Sequence, residues 1–270
     1  MNGASRATQI RIYIGKCFRV FLNDKGYKTF ISAAIITLLI SMVTGDKMFL
    51  EYNESRNGAF ALVCACIWIG IFNSIQSICK ERDIIKREHR SGLHISSYIT
   101  SHMVFELVLS FIEAIIVTAI TCVANLDAFP ESGVLFPAFL EMVCTFFFII
   151  FSSDALGLMV SSIVKTPNTA MTVMPFVLII QLAMLGMIFE LEGFTDVISN
   201  ITIGKWGLNA VCVTANVNDM AGAALFPHLA ENYEFTVGHL LGLWGLLIGF
   251  AVLYGAIAIV ALKFVDKDKR

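Results

Sequence analysis

Four carboxylic acids lie inside long apolar stretches of this sequence and are the side chains best placed to do chemistry. They are Glu106, Glu113, Glu141 and Asp154. Acids in such surroundings can bind a proton or a substrate, or they can form a hydrogen-bonded polar relay. Glu106 and Glu113 are seven residues apart and so share one face of a helix. The pattern favours a hydrogen-bonded or polar-relay role for all four over a substrate or proton site. Glu141 lies near the outer end of its stretch, where reaching the membrane interface is the alternative.

The histidines and cysteines do not form a catalytic or metal-binding pattern. The five His are scattered, and the seven Cys include no C-x-x-C pair. No nucleophile and base stand at a recognisable spacing either. The sequence therefore predicts no catalytic residue, no metal site and no cofactor on this chain.

The composition indicates a membrane protein. Of the 270 residues 57% are hydrophobic and only 15% are charged, whereas soluble domains carry about 25% charged residues. Because a spanning helix needs about 20 predominantly apolar residues, we predict an all-α membrane protein with six transmembrane helices. These lie at 29–44, 58–79, 97–124, 135–164, 169–189 and 237–264.

The distribution of positive charge predicts the orientation. Sixteen of the 19 Lys and Arg fall in the N-terminal segment, the second and fourth connections and the C-terminal tail. Positive residues mark the cytoplasmic side of membrane proteins. We therefore expect both termini in the cytoplasm and place the protein in the cell membrane (plasma or inner).

Two cytoplasmic segments flank the first spans. In the N-terminal region, 1–28, apolar residues recur along 10–21 at helical spacing, which predicts an amphipathic interfacial helix. Its alternatives are a simple anchor and a lever on which a partner pushes. The connection 80–96 alternates five cations with three carboxylates, which suits either a solvated face or a protein partner.

The connection between the last two spans, 190–236, is the longest on the outer side. Its apolar stretches are too short to cross a bilayer and are interrupted by Gly204 and Gly207. They predict re-entrant outer helices packed against the spans, with an exposed small domain as the alternative. The remaining parts are the permease body, 29–264, and a cytoplasmic tail, 265–270.

Three stretches, in order, resemble one family of membrane domains. They are ERDIIKREHRSGLHISSY followed by VFEL, then FVLIIQLAMLGMIFEL, then KWGLNAVCVTANVND. This set resembles the ABC-2 type membrane domains of the White/pleiotropic-drug-resistance (G) subfamily of ABC transporters, and the resemblance covers essentially the whole chain.

The resemblance implies a membrane (permease) subunit of an ATP-driven exporter rather than an enzyme. Its implied partners are a nucleotide-binding ATPase that uses ATP and Mg, a second permease domain in a homo- or heterodimer, and membrane lipid, with no nucleic acid. The chain has no G-x-x-x-x-G-K-[ST] phosphate loop. The ATPase is therefore expected on a separate polypeptide or in another part of a longer protein.

The resemblance also implies roles for particular residues. An apolar cavity for a hydrophobic or amphipathic substrate would be lined by Ile69, Phe72, Pro175, Leu178, Ile179 and Leu182. An outer plug above it would consist of Met187 and Ile188. Coupling to the ATPase would fall to Glu81, Arg82, Arg87, Glu88, Arg90, Gly92 and His94.

Two other functions remain open at the level of sequence. One is a secondary transporter that couples to protons through the intramembrane carboxylates, and the other is a non-transporting membrane assembly protein. A secondary transporter predicts inverted repeats and broken helices, and no convincing repeat relates spans one to three with spans four to six.

Overall fold

The computed structural model describes residues 5–44, 48–187 and 193–263, and it confirms the all-α fold. Within these ranges it is 80% helix and has no strands. The described α-helices are α1 (Arg6–Asn23), α2 (Lys28–Thr44), α3 (Tyr52–Ser74), α4 (Arg82–Arg90), α5 (Ile95–Ala124), α6 (Ala138–Ile163), α7 (Pro167–Ala183), α8 (Phe194–Ser199), α9 (Ile203–Thr214) and α10 (Val237–Leu262).

Four helical runs in the described residues are long and apolar enough to cross a membrane. They are Tyr52–Arg90, which contains α3 and α4, together with α5, α6 and α10. The pair α1 and α2, bent by 69°, makes a fifth if it is counted as one span. The helix α7 is apolar but has 17 residues, about 25 Å at 1.5 Å per residue against a hydrocarbon core of about 30 Å. The predicted count of six therefore stays a prediction.

Two of the predicted spans have different helix boundaries in the structure. The fourth predicted span, 135–164, begins in the structure at Ala138, because Pro137 occupies the N-cap position and a proline is tolerated at a helix start but not inside it. The second, 58–79, begins earlier, at Tyr52, and its α-helix ends at Ser74.

The break after α3 is stabilised by one side chain of α6. The backbone N–H groups of Ile78 and Cys79 donate hydrogen bonds of 3.0 and 3.1 Å to Oγ of Ser161. Buried backbone N–H and C=O groups that cannot form hydrogen bonds to water must form them within the protein. Ser161 supplies it, so the chain turns from α3 into α4 without leaving those two N–H groups unpaired.

The helix α6 is the centre of the bundle and packs against α3, α5, α9 and α10. Small residues bring it close to α3. A Cβ on Gly70 would lie 2.5 Å from the carbonyl oxygen of Ile150, and one on Gly157 would lie 2.1 Å from Oγ of Ser74. Such close backbone approach is how helices gain contact energy where lipid removes the hydrophobic driving force.

The helix α9 is enclosed by the bundle. It packs against α3, α6 and α10, and the Cβ position of Gly207 lies 3.0 Å from Ile149 and 3.4 Å from Val63. Each of these two residues is about 16 Å along its helix from the first residue of that helix. The segment predicted to be re-entrant thus contains a helix that reaches deep between the long helices.

One end of the bundle, which we call the basic end, is formed by α1, α4 and the C-terminal residues of α6 and α10. A buried apolar cluster joins these elements to α5, with Ile85, Leu93, Tyr98, Leu158 and Leu262 among its members. The exposed charges of α1 and α4 surround this cluster.

The close approach of α3 and α6 predicts contrasting effects of two Gly→Ala substitutions. Gly70→Ala places a methyl group against backbone atoms of α6 and should cost about 1–3 kcal/mol. Gly249→Ala in α10, where no atom lies within 4 Å of the added Cβ, should be neutral or stabilise by about 0.5–1 kcal/mol. Thermal unfolding of the two purified variants in one detergent compares them. Equal midpoints would contradict the packing described.

Candidate functional site

The mixed charges of the connection 80–96 are divided between two faces of α4. Glu81, Arg82 and Glu88 turn toward the bundle and are bonded there, whereas Arg87 and Arg90 are exposed. The sequence leaves a solvated face and a partner surface as alternatives for this segment. In the structure its inward residues, Glu81, Arg82 and Glu88, form bonds to the bundle that we call the clamp, and its other face is exposed and mainly basic.

Two carboxylates of this segment hold α1. Oε2 of Glu88 accepts a 2.5 Å hydrogen bond from the hydroxyl of Tyr13. Oε2 of Glu81 accepts bonds of 2.9 Å from Lys16 and 3.0 Å from the hydroxyl of Tyr98 at the start of α5. One carboxylate therefore ties α1 and α5 to the entrance of α4.

A buried glutamine closes the other end of this clamp. Gln9 donates through Nε2 to the carbonyl oxygen of Gly92 at 3.2 Å and accepts through Oε1 from the N–H of His94 at 3.0 Å. Gly92 has φ of +104°, a conformation that favours glycine. Gln9 therefore holds the turn after α4 against α1 through one backbone carbonyl, that of Gly92, and one backbone N–H, that of His94.

Arg82 connects the same segment to α6. It is 8% exposed, and its Nη1 donates to the carbonyl oxygens of Ser162 at 2.9 Å and Val164 at 3.0 Å. These carbonyls belong to the unpaired C-terminal turn of α6, where a cation is favoured. Arg82 is thus a positioning residue of the fold, buried and not presented to a partner.

Burial raises the pKa of two side chains of α1, Tyr13 and Cys17. Burial, followed by the hydrogen bond to Glu88, raises the pKa of Tyr13 well above its ordinary value, so the phenol remains the donor. Burial also raises the pKa of the Cys17 thiol to about 12, with Glu81 and Glu106 contributing. The Cys17 thiol is therefore protonated at neutral pH.

The six predicted cavity residues divide into an exposed and a buried set. Phe72, Pro175 and Ile179 are exposed, Leu182 is half-buried, and Ile69 and Leu178 lie in the core. Of the predicted plug, Met187 is half-buried, and Ile188 lies outside the described residues.

The exposed members belong to an apolar face that sequence reasoning described only in part. Trp68 joins Phe72 on α3, and Phe176 and Ile180 join Ile179 on α7, each with about half or more of its surface exposed. The helices α3 and α7 are in contact. We call these five residues the α3–α7 face.

The three predicted intramembrane acids meet two polar partners at the centre of the bundle. Asn73 donates to Oε1 of Glu113 at 2.8 Å, and Ser110 donates to Oδ2 of Asp154 at 2.6 Å. Each of these three acids keeps one carboxyl oxygen buried without a hydrogen-bond partner among the described residues: Oε2 of Glu106, Oε2 of Glu113 and Oδ1 of Asp154.

Several polar residues of these sites escaped the sequence reasoning. Gln9, Asn73 and Gln181 bind partners 83, 40 and 22 residues away. Their only available signal was an amide side chain within a helical apolar stretch, which does not identify a partner. Among the described residues, no three His, Cys, Asp or Glu side chains are grouped to hold a metal ion.

Comparison with known proteins assigns the family. The family model of the ABC-2 type transporter matches residues 8–215, which include the clamp, the acid cluster and α9. The chain belongs to the ABC-2 type transporter family. Together with the apolar helices, this makes it an integral membrane protein and the permease part of an ABC transporter, a transport domain and not a catalytic one.

One curated protein is similar in sequence over most of this chain. An ABC transporter ATP-binding/permease protein of Mycobacterium tuberculosis is 25% identical over 249 residues, which cover 86% of this chain. The chain spans only 29% of the length of that relative.

The bond between Tyr13 and Glu88 predicts a measurable coupling energy. Hydrogen bonds to charged groups contribute roughly 1.5–3 kcal/mol, so a double-mutant cycle of Tyr13→Phe and Glu88→Gln should show about 1 kcal/mol or more for this half-buried pair. Unfolding of the four proteins in detergent gives the value. As a matched control, Tyr13→Phe and Arg87→Gln should be additive, because Arg87 lies on the exposed face of α4. Additivity in both cycles would contradict the clamp.

Proposed function

We propose that this chain is the membrane subunit of an ATP-driven ABC exporter that moves a hydrophobic or amphipathic substrate. The observation that carries the proposal is the clamp at the basic end, where α4 is bonded to α1, α5 and α6 while keeping an exposed basic face. A rigid charged element of this kind is suited to receive motion from a separate protein.

The topology that goes with this function places the basic end in the cytoplasm. The six spans would be α2, α3, α5, α6, α7 with the residues that follow it, and α10, and both termini would be cytoplasmic. The concentration of Lys and Arg at this end supports the orientation. The helix α9 would then enter the membrane from the outside, with its N-terminus at mid-depth.

The partners are expected to be an ATPase and a second permease domain. The ATP-binding part in the name of the mycobacterial relative supports a nucleotide-binding partner, with ATP and Mg on that partner. The clamp sequence, the α7 sequence and the segment around α9 support placement near the White/pleiotropic-drug-resistance subfamily. A second copy of the chain or a related chain would complete the pair.

The α3–α7 face is the surface proposed to line the cavity between the two permease domains. Its exposed side chains are large and apolar, so they would hold cargo by shape and dispersion. Met187, with Ile188 after it, would close the cavity on the outer side. The buried Ile69 and Leu178 would support this wall from behind.

The mechanism follows from how the helices are joined. Closure of the ATPase on nucleotide would displace α4, and the run from α4 into α3 would carry the displacement to the α3–α7 face. The bonds of Glu81, Glu88 and Arg82 would make α1, α5 and α6 move with it. Export requires that the inward and outward arrangements be discrete and bind the cargo differently.

A charge reversal on the exposed face of α4 tests the coupling. Arg87→Glu should lower cargo-stimulated ATPase activity at least about tenfold, since like charges juxtaposed at a docking surface cost several kcal/mol. Insertion and the melting midpoint should not change, because Arg87 is exposed. The measurement uses proteoliposomes that contain the chain with its co-purified ATPase and rhodamine 6G, an amphipathic dye.

Two matched variants make the coupling test specific. Arg87→Lys keeps the charge and should retain stimulation. Asp127→Lys reverses an exposed charge in the connection after α5, outside the basic end, and should also retain it. Normal stimulation in Arg87→Glu would contradict the role assigned to α4.

Filling the proposed cavity tests the α3–α7 face. Ile179→Trp should abolish ATP-dependent transport of rhodamine 6G while the complex still assembles, because the added ring occupies space that the cargo needs. Val252→Trp on the exposed surface of α10 is the matched control and should transport normally. Equal transport by both variants would overturn the cavity assignment.

One experimental result would contradict the whole proposal that the chain is part of an ATP-driven exporter. Transport by the purified chain in vesicles with a proton gradient, and with neither ATPase nor nucleotide, would favour the secondary transporter. The buried acid cluster is the feature that this alternative would use.

A further inference from the structure

A pocket of about 570 Å³ lies between α1, α3 and α5 near the basic end. This volume falls in the range of about 300–1,000 Å³ typical of small-molecule sites. The pocket belongs to a single copy of the chain and is distinct from the α3–α7 face, although Phe72 borders both.

The walls of the pocket combine apolar and aromatic side chains with polar ones such as Asn73 and Gln76. The apolar and aromatic side chains include Phe21 of α1, Phe72 of α3, Phe105 and Leu109 of α5, and Met171 of α7. Rings arranged around a cavity offer their faces to a flat apolar body and to a cation.

The charged side chains at the rim include both signs, whereas the inner wall carries the acid Glu106. Lys16 and Glu81 line the pocket as a 2.9 Å ion pair, and Asp24 and Lys80 are exposed at its edge. Each cation at the rim is thus matched by a carboxylate. The lining acid that remains without a matching cation is Glu106.

Glu106 lines the pocket with a carboxyl group that the fold does not satisfy. The residue is 1% exposed, and its Oε2 is buried without a hydrogen-bond partner among the described residues. Glu113 and Asp154, which each have a bonded oxygen, are the acids that neighbour Glu106.

A carboxylate buried without a partner is strongly disfavoured. The Glu106 side chain must therefore carry a proton or face a cation. The neighbouring acids cannot serve as its counter-ion. The lining His102 is turned toward Cys17 and packs at a tilt of 55° against the ring of Tyr98, so the pocket itself is the place from which a positive charge can reach Glu106.

We propose that this pocket binds a hydrophobic monovalent cation, whose charge pairs with Glu106 and whose apolar body lies against the aromatic walls. The chemical class is that of lipophilic quaternary ammonium and phosphonium ions. The site goes beyond the proposed export function and does not depend on it, because all its residues belong to one chain and no nucleotide is involved.

Equilibrium binding of tritiated tetraphenylphosphonium to the purified chain in lipid nanodiscs tests the proposal, with empty nanodiscs as the blank. Saturable binding of one ion per chain is expected. Tetraphenylborate has the same shape and the opposite charge, so it should not compete. Glu106→Gln should weaken binding about tenfold or more, because it removes a charge-assisted contact.

Matched variants separate the charge from the fold and from the other proposed cavity. Glu141→Gln changes an equally buried acid that does not line the pocket and should bind within about twofold of the unaltered chain, a change of under 0.5 kcal/mol. Met171→Trp at an exposed lining position should weaken binding without unfolding the chain. It keeps the test available if Glu106→Gln does not fold.

Three results would overturn the proposal. They are the absence of saturable binding, equal affinity of the Glu106→Gln and unaltered chains, and competition by tetraphenylborate. Loss of binding in Ile179→Trp but not in Glu106→Gln would place the ion on the α3–α7 face instead. Failure of the ATPase or transport assays would leave the binding result unaffected, so the two proposals fail separately.

Discussion

A helix bundle that lies in hydrocarbon can interrupt its helices only where side chains replace the lost backbone hydrogen bonds, and the rest of this structure depends on that constraint. Ser161 pairs the N–H groups of Ile78 and Cys79 at the break after α3. At the start of α9, Oε1 of Gln181 accepts bonds from the N–H groups of Ile203 at 2.9 Å and Gly204 at 3.3 Å. Each of these polar side chains supplies partners for backbone groups at a break between helices.

The basic end meets the same constraint with side chains that join several helices. The segment that leaves α3 must satisfy its own backbone and also cover the exposed carbonyls at the end of α6. Arg82 does the second, while Glu81 and Glu88 bind α1. These contacts use one face of α4, and the opposite face stays exposed. The bonded face joins α4 to α1, α5 and α6.

The acid cluster contains three of the buried polar atoms that lack a hydrogen-bond partner among the described residues. Asn73 and Ser110 each pair one oxygen of a carboxyl group, and the second oxygen of each remains buried without a partner among the described residues. A purely structural relay would be more stable with its lone pairs satisfied. Glu106 is the member of this cluster that lines the aromatic pocket, and the proposed cation site depends on it.

The sequence by itself determined the helical class, the membrane environment and the concentration of positive charge at one end, because composition and periodicity are local properties that lipid converts directly into helices. It also located the apolar stripe along α1. Only the tertiary structure decided which charges of 80–96 face inward, that Ile69 and Leu178 lie in the core, and that Glu106 borders a pocket. Those outcomes depend on contacts between residues 40 or more positions apart, such as Asn73 with Glu113 and Gln9 with Gly92. A single helix cannot specify such contacts, because its apolar residues are similar on every face.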